Sequence, residues 1–177
     1  MTLAVSGIQP NLRLVVDNSA KTLVVFSETR WKKLMFSGHE SFGSEKYSLA
    51  RFYYDRANRE AVNALDCFAV EDPASVQELY TRASAHAIAA ENLANIHFRT
   101  GYRQLTVSVL TGAFERLLSM ALNQGLGMAY REVLIECLTV MLDGMMRILR
   151  ACGCCAVTIH EFLDRAGQAA IQLSQGR

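Results

Sequence analysis

The sequence predicts an all-α fold, and three observations carry that expectation. From about residue 28 onward, apolar residues recur at helical spacing. Glycines and one Asp-Pro pair cut this stretch into six segments. The connections are only a few residues long, so successive segments run as antiparallel hairpins. Each hairpin is amphipathic and needs neighbours to bury both faces, which is the logic of a helical repeat.

Each element follows from its punctuation. The first helix is expected over residues 28–42, stopped by Gly43-Ser44, and the second from Ser44 or Glu45 to about Phe68. Asp72-Pro73 starts the third, with Asp as N-cap and Pro at the first helical position, and Gly101 follows its end at Arg99. The fourth covers residues 103–123, and Gly125 and Gly127 break the chain after it. The fifth covers 128–151, stopped by Gly153, and the sixth 158–174, where Thr158 and Glu161 have capping-box spacing. Ahead of them, residues 12–16 and 22–26 are β-branched and apolar around the turn formers 17–21. This N-terminal β-like extension is read either as a hairpin that must pack on the helices or pair with another chain, or as an arm. The organisation is thus an extension, residues 1–28, and a helical domain, residues 29–177.

Composition narrows the function classes. The chain has 177 residues, 51% hydrophobic and 20% charged, which suits a packed domain and argues against disorder. Eighteen basic against seventeen acidic residues give a net charge of +1, which speaks against a nucleic-acid partner. The most apolar stretch, residues 133–159, is interrupted by Glu136, Asp143, Arg147 and Arg150, so no membrane span is expected. No basic segment precedes a long apolar run near Met1, and five cysteines is an odd number. A cytoplasmic protein with reduced thiols is expected.

The stretch Trp31-Lys32-Lys33-Leu34-Met35-Phe36-Ser37-Gly38-His39-Glu40-Ser41-Phe42, followed by Tyr47, Ala50, Tyr54 and Ala57, resembles a tetratricopeptide repeat (TPR). Gly38 matches the small residue that lets two helices approach, Phe42 and Tyr47 the aromatics flanking the turn, and Ala50 the small residue at the crossing. A second copy resembles the same pattern through Leu93, Ala94, Phe98, Gly101 and Ala113, with Thr106 where alanine is usual. Gly38 and Ala94 are 56 residues apart, which fits a repeat with extended helices. The segment from Met128 to Ser174 matches the pattern poorly and reads as a degenerate repeat or capping hairpin. The chain is similar to short bacterial proteins of TPR type. The resemblance implies a TPR-like right-handed superhelix of about three hairpins.

It also implies a mode of action. TPR proteins hold peptides or partner helices on a concave face lined by the first helix of each pair. Carried over by position, the binding residues are Lys32, Met35, Phe36, His39 and Phe42, then Ile88, Glu91, Asn92, Asn95, Phe98 and Arg99. Asn92 and Asn95 offer donor and acceptor to a peptide backbone, and Arg99 suits a carboxylate. Met35 stands where the clamp for C-terminal carboxylates has a lysine.

Other constellations are weighed against this. Cys152-Gly153-Cys154-Cys155 with His160 invites a zinc or redox reading, but its spacing is not a paired CxxC. Cys67 and Cys137 fall within helical apolar patterns and read as core. Met141, Met145 and Met146 read as core, with a binding or dimer stripe as the alternative. HExxH, GxSxG and glycine-rich phosphate loops are absent. The expectation is a non-enzymatic protein-interaction module with no cofactor and no metal, binding a protein or peptide. The alternatives are a self-associating structural protein, in which the chain forms a homo-oligomer, and a thiol-based sensor.

Overall fold

The computed structural model describes residues 26–68 and 75–175. The expected β-like extension and the Asp72-Pro73 helix start lie outside these residues, the extension except for its last residues 26–28. The described residues form six α-helices and no strand. They are α1 (Glu28–Gly43), α2 (Tyr47–Asp66), α3 (Ser75–Arg99), α4 (Arg103–Ala121), α5 (Met128–Ala151) and α6 (Ala156–Gln175).

Local chemistry sets the boundaries. Ser27 caps α1, its hydroxyl accepting from the Arg30 N–H at 3.3 Å, with Glu28 in the first turn. α1 buries Trp31, Met35, Gly38 and Ser41, a three-to-four-residue stripe. Its end differs from expectation. The left-handed residue of the turn is Glu45 at φ 57°, not Gly43, and α2 begins only at Tyr47. The Lys46 N–H bonds the Ser41 carbonyl at 2.8 Å and the Glu45 N–H that of Phe42 at 3.0 Å, closing the helix end before α2 starts.

The same closure recurs twice. Gly101 at φ 84° has the Tyr102 N–H on the His97 carbonyl, and Gly153 at φ 83° has the Cys154 N–H on the Leu149 carbonyl. The chain therefore repeats one turn at positions 45, 101 and 153, joining α1 to α2, α3 to α4 and α5 to α6. Nine residues beyond each turn residue stand Tyr54, Leu110 and Phe162, all buried; sixteen beyond stand Ala61, Leu117 and Ala169, all buried. This turn also moves the start of α6. Gly153 reverses the chain so tightly that the helix begins at Ala156, which puts Thr158 inside the first turn rather than at the cap.

The hairpins stack in chain order. α2 packs on α1 and α3, α3 on α4 and α5, α5 on α4 and α6, while α1 meets α3 only narrowly. α3 is central, and its alanines, Ala83, Ala85, Ala87, Ala89, Ala90 and Ala94, let helices approach on several sides. One core cluster joins Trp31, Met35, Tyr54, Ala57, Leu93 and Ile96 of α1–α3. The larger one gathers Leu79, Leu110, Phe114, Leu134, Leu138, Met145 and Phe162 of α3–α6. Met141 and Met145 are core residues, and Met146 packs against that core. Cys137 is buried as expected; Cys67 is exposed, because it caps the end of α2 rather than lying within it.

Candidate functional site

The residues expected to bind a partner fall on α1 and α3 but are used unequally. Lys32 pairs with Glu28 one turn back at 2.6 Å, both largely exposed. Phe36 is exposed. His39 is engaged locally: its Nδ1 lies 2.7 Å from the Tyr54 hydroxyl, and the rings meet edge-on. Phe42 packs edge-on against Tyr47 across the turn. Glu91 lies over Gly144 of α5 and pairs with Arg147 at 3.4 Å. The Asn92 amide donates to the Ile88 carbonyl of its own helix at 2.8 Å. Asn95 and Phe98 are half-buried, and Arg99 is exposed at the end of α3.

The structure places a groove beside these residues, between the start of α1 and α3. It has a volume of about 240 Å³ and is lined by Glu28, Trp31, Tyr80, Thr81, Ser84 and Ile88, among others. Tyr80, Ser84 and Ile88 lie at successive helical turns of α3, a continuous stripe. Tyr80 and Ile88 expose 37% and 47% of their surface although both are large and apolar-bodied. Trp31 forms the floor. It is buried, and its Nε1–H has no hydrogen-bond partner among the described residues. Buried donors are ordinarily satisfied, so this indole is an exception to that rule.

Of this groove the sequence reading contained Ile88 alone. Trp31 was legible as a repeat residue, but its second role needs α3 alongside α1, a contact between distant segments. The signal that could have found the α3 wall is the stripe itself, Tyr80-x-x-x-Ser84-x-x-x-Ile88.

Cysteine chemistry is spread along the α5–α6 turn. Burial pushes the Cys152 thiol up. Cys155, exposed ahead of α6, is pushed down by the Thr158 hydroxyl at 3.2 Å and by the backbone N–H groups of Thr158 and Val157. Among the described residues no three His, Cys, Asp or Glu side chains converge in a manner that could hold a metal ion. No helix among them is long and apolar enough to cross a membrane.

Fold and groove together define an all-α stack of helical hairpins. Residues 29–153 match the family described as Protein of unknown function (DUF2753), and the chain belongs to that family. No curated protein and no solved structure matches it.

Proposed function

We propose that the chain is a non-enzymatic, cytoplasmic protein-interaction module, a TPR-like superhelix that holds a peptide or helix of a partner protein along α1 and α3. The observation that carries this reading is the α1–α3 groove, with Tyr80 and Ile88 open on its wall and the unpartnered Trp31 Nε1–H at its floor. An amphipathic partner segment would cover the two apolar side chains and lie over the Trp31 ring. The turn repeated at Glu45, Gly101 and Gly153 supports the helical-repeat reading. Lys32, Phe36 and Asn95 would flank the bound segment.

Trp31 is the single tryptophan of the chain, so its fluorescence reports on the groove directly. Displayed random peptides would be selected on the folded protein and titrated against it. Enriched peptides that shift Trp31 emission, and lose at least about tenfold in affinity on Ile88→Asp, support the reading. Peptides that bind without moving the emission, and equally well to Ile88→Asp and Tyr80→Ala, overturn it.

A second reading, self-association, draws on α6. Its inner side meets α5, while Val157 and Ile171 are exposed. Sedimentation equilibrium of the wild type and of Ile171→Glu separates the two: a dimer lost in the variant favours assembly.

A further inference from the structure

A second cleft lies between α2 and the C-terminal part of α3, with a volume of about 450 Å³. Its walls are Ser48, Arg51, Phe52 and Asp55 of α2 and Leu93 and His97 of α3. The four α2 residues share one helix face, while Ala50, Tyr54, Ala57 and Ala61 of the same helix go into the core. The volume falls in the range of small-ligand sites.

Two of the polar groups here, Arg51 and His97, are not consumed by the fold. Arg51 forms no ion pair among the described residues; its guanidinium rests 6.0 Å from the centre of the Tyr102 ring. Asp55, one turn further on, is already paired with Arg59. His97 is 8% exposed, with its ring edge-on to Tyr102 at 6.3 Å, and its Nδ1 is enclosed without a hydrogen-bond partner among the described residues. Burial and the neighbouring Arg51 lower its pKa against a smaller opposing pull from Asp55, so the imidazole is neutral at neutral pH and offers one donor and one acceptor.

We propose that this cleft binds a ligand of amino-acid to dipeptide size through a carboxylate, held bidentately by Arg51, with Ser48 and His97 hydrogen-bonding it and its apolar part against Phe52 and Leu93. The Arg51 fork matches one carboxylate. Asp55, paired with Arg59, keeps acceptor capacity for a ligand amide or ammonium, as an α-amino acid or a peptide carries. The two sources of this chemistry are free amino acids and the C-terminus of a peptide. The cleft shares no residue with the α1–α3 groove, so the inference stands or falls independently of what occupies that groove.

The test is amide and imidazole NMR of the ¹⁵N-labelled full chain, titrated with the free amino acids, with acetyl-leucyl-phenylalanine, and with the same dipeptide amidated. Expected is saturable movement of the Ser48, Arg51 and Leu93 amides and of the His97 ring nitrogens with a carboxylate probe. Arg51→Gln should weaken binding at least about tenfold, and Arg51→Lys less, since a point charge replaces a fork. Arg51 is exposed, so these variants fold, as an unchanged helical spectrum would verify. Binding by free amino acids assigns the site to small molecules; binding by the acid dipeptide alone assigns it to peptide C-termini, and either supports the proposal. Overturning results are no movement of the cleft resonances with any probe, equal binding of acid and amide, or indifference to Arg51→Gln.

Discussion

Gly38 of α1 and Tyr54 of α2 fit as a glycine against an aromatic face: a methyl group on Gly38 would stand 2.6 Å from Tyr54 Cδ1 and 3.0 Å from Cζ. The ring has nowhere to retreat, being 2% exposed and tied through its hydroxyl to His39 Nδ1 at 2.7 Å. Gly38→Ala gains about 1 kcal/mol of helix propensity, yet overpacking of this kind costs about 1–3 kcal/mol and the fixed ring places it at the upper end. The expected net loss is roughly 1–2 kcal/mol, a fall in Tm of about 2–8 °C by calorimetry. Gly167→Ala on α6, where a methyl group meets nothing within 4 Å, should raise stability by about 0.5–1 kcal/mol. Tyr54→Leu combined with Gly38→Ala should cost less than the two separate losses added. If Gly38→Ala stabilises as Gly167→Ala does, the close approach is not what selects glycine there.

The repeated turn yields a second, reciprocal prediction. Glu45 at φ 57° holds the position that Gly101 and Gly153 hold in the other hairpins. A side chain in this left-handed region costs about 1–2 kcal/mol, offset in part by the chain entropy that glycine loses on folding. Glu45→Gly should therefore stabilise by about 0.5–1 kcal/mol, while Gly101→Ala and Gly153→Ala destabilise by about 1 kcal/mol. Urea denaturation of the three variants checks the signs. A loss for Glu45→Gly would mean that its side chain contributes something the turn geometry does not show.

These turns also show how much was legible beforehand. The ends of α3 and α5 were readable because glycine occupies the left-handed position at 101 and 153. The start of α2 was misplaced because glutamate occupies it at 45, and the visible glycine, Gly43, is two residues early. The 56-residue offset between hairpins was readable from Gly38 and Ala94, and the backbone repeats it between Glu45 and Gly101. The third hairpin hid because Met146 and Arg165 stand where Gly38 and Ala57 have small residues, although the turn is the same. For the site, helix faces were readable but their neighbours were not. The place of Asn92 on the third helix was readable, yet its amide bonds its own backbone, and the Arg51–His97 cleft joins α2 to α3 across a separation no local pattern spans.

His86 predicts acid sensitivity. It is 3% exposed between helices, with Nδ1 3.1 Å from Asn58 Oδ1 and Nε2 enclosed without a partner among the described residues. Burial, with Arg116 of α4 adding to it, lowers its pKa to about 4. The folded protein then resists a proton that the unfolded chain takes up near pH 6.5, so stability is full above that pH and falls as pH drops toward 4. The loss should approach roughly 3 kcal/mol at most. His97 acts in the same direction, so His86→Gln should remove part of the slope and not all of it. Urea midpoints between about pH 7 and pH 4.5 measure it. A slope identical in wild type and His86→Gln would exclude His86 as its source.

The cysteines should separate by reactivity, since the thiolate is the reacting form. Cys155 is exposed at the start of α6, where the Thr158 hydroxyl and two backbone N–H groups favour its ionised form. Cys137 is buried, and burial raises its pKa more than its contact with Ser84 lowers it. Cys152 is pushed the same way by burial. Under limiting iodoacetamide near neutral pH, peptide mass spectrometry should find Cys155 alkylated before Cys152, and Cys137 only after denaturant is added. Thr158→Val should slow Cys155 without changing Cys137, because it removes the hydroxyl donor and leaves the helix start in place. Equal rates for Cys155 in wild type and Thr158→Val would assign its reactivity to exposure alone, and early alkylation of Cys137 would show that α3 and α5 part readily at Ser84.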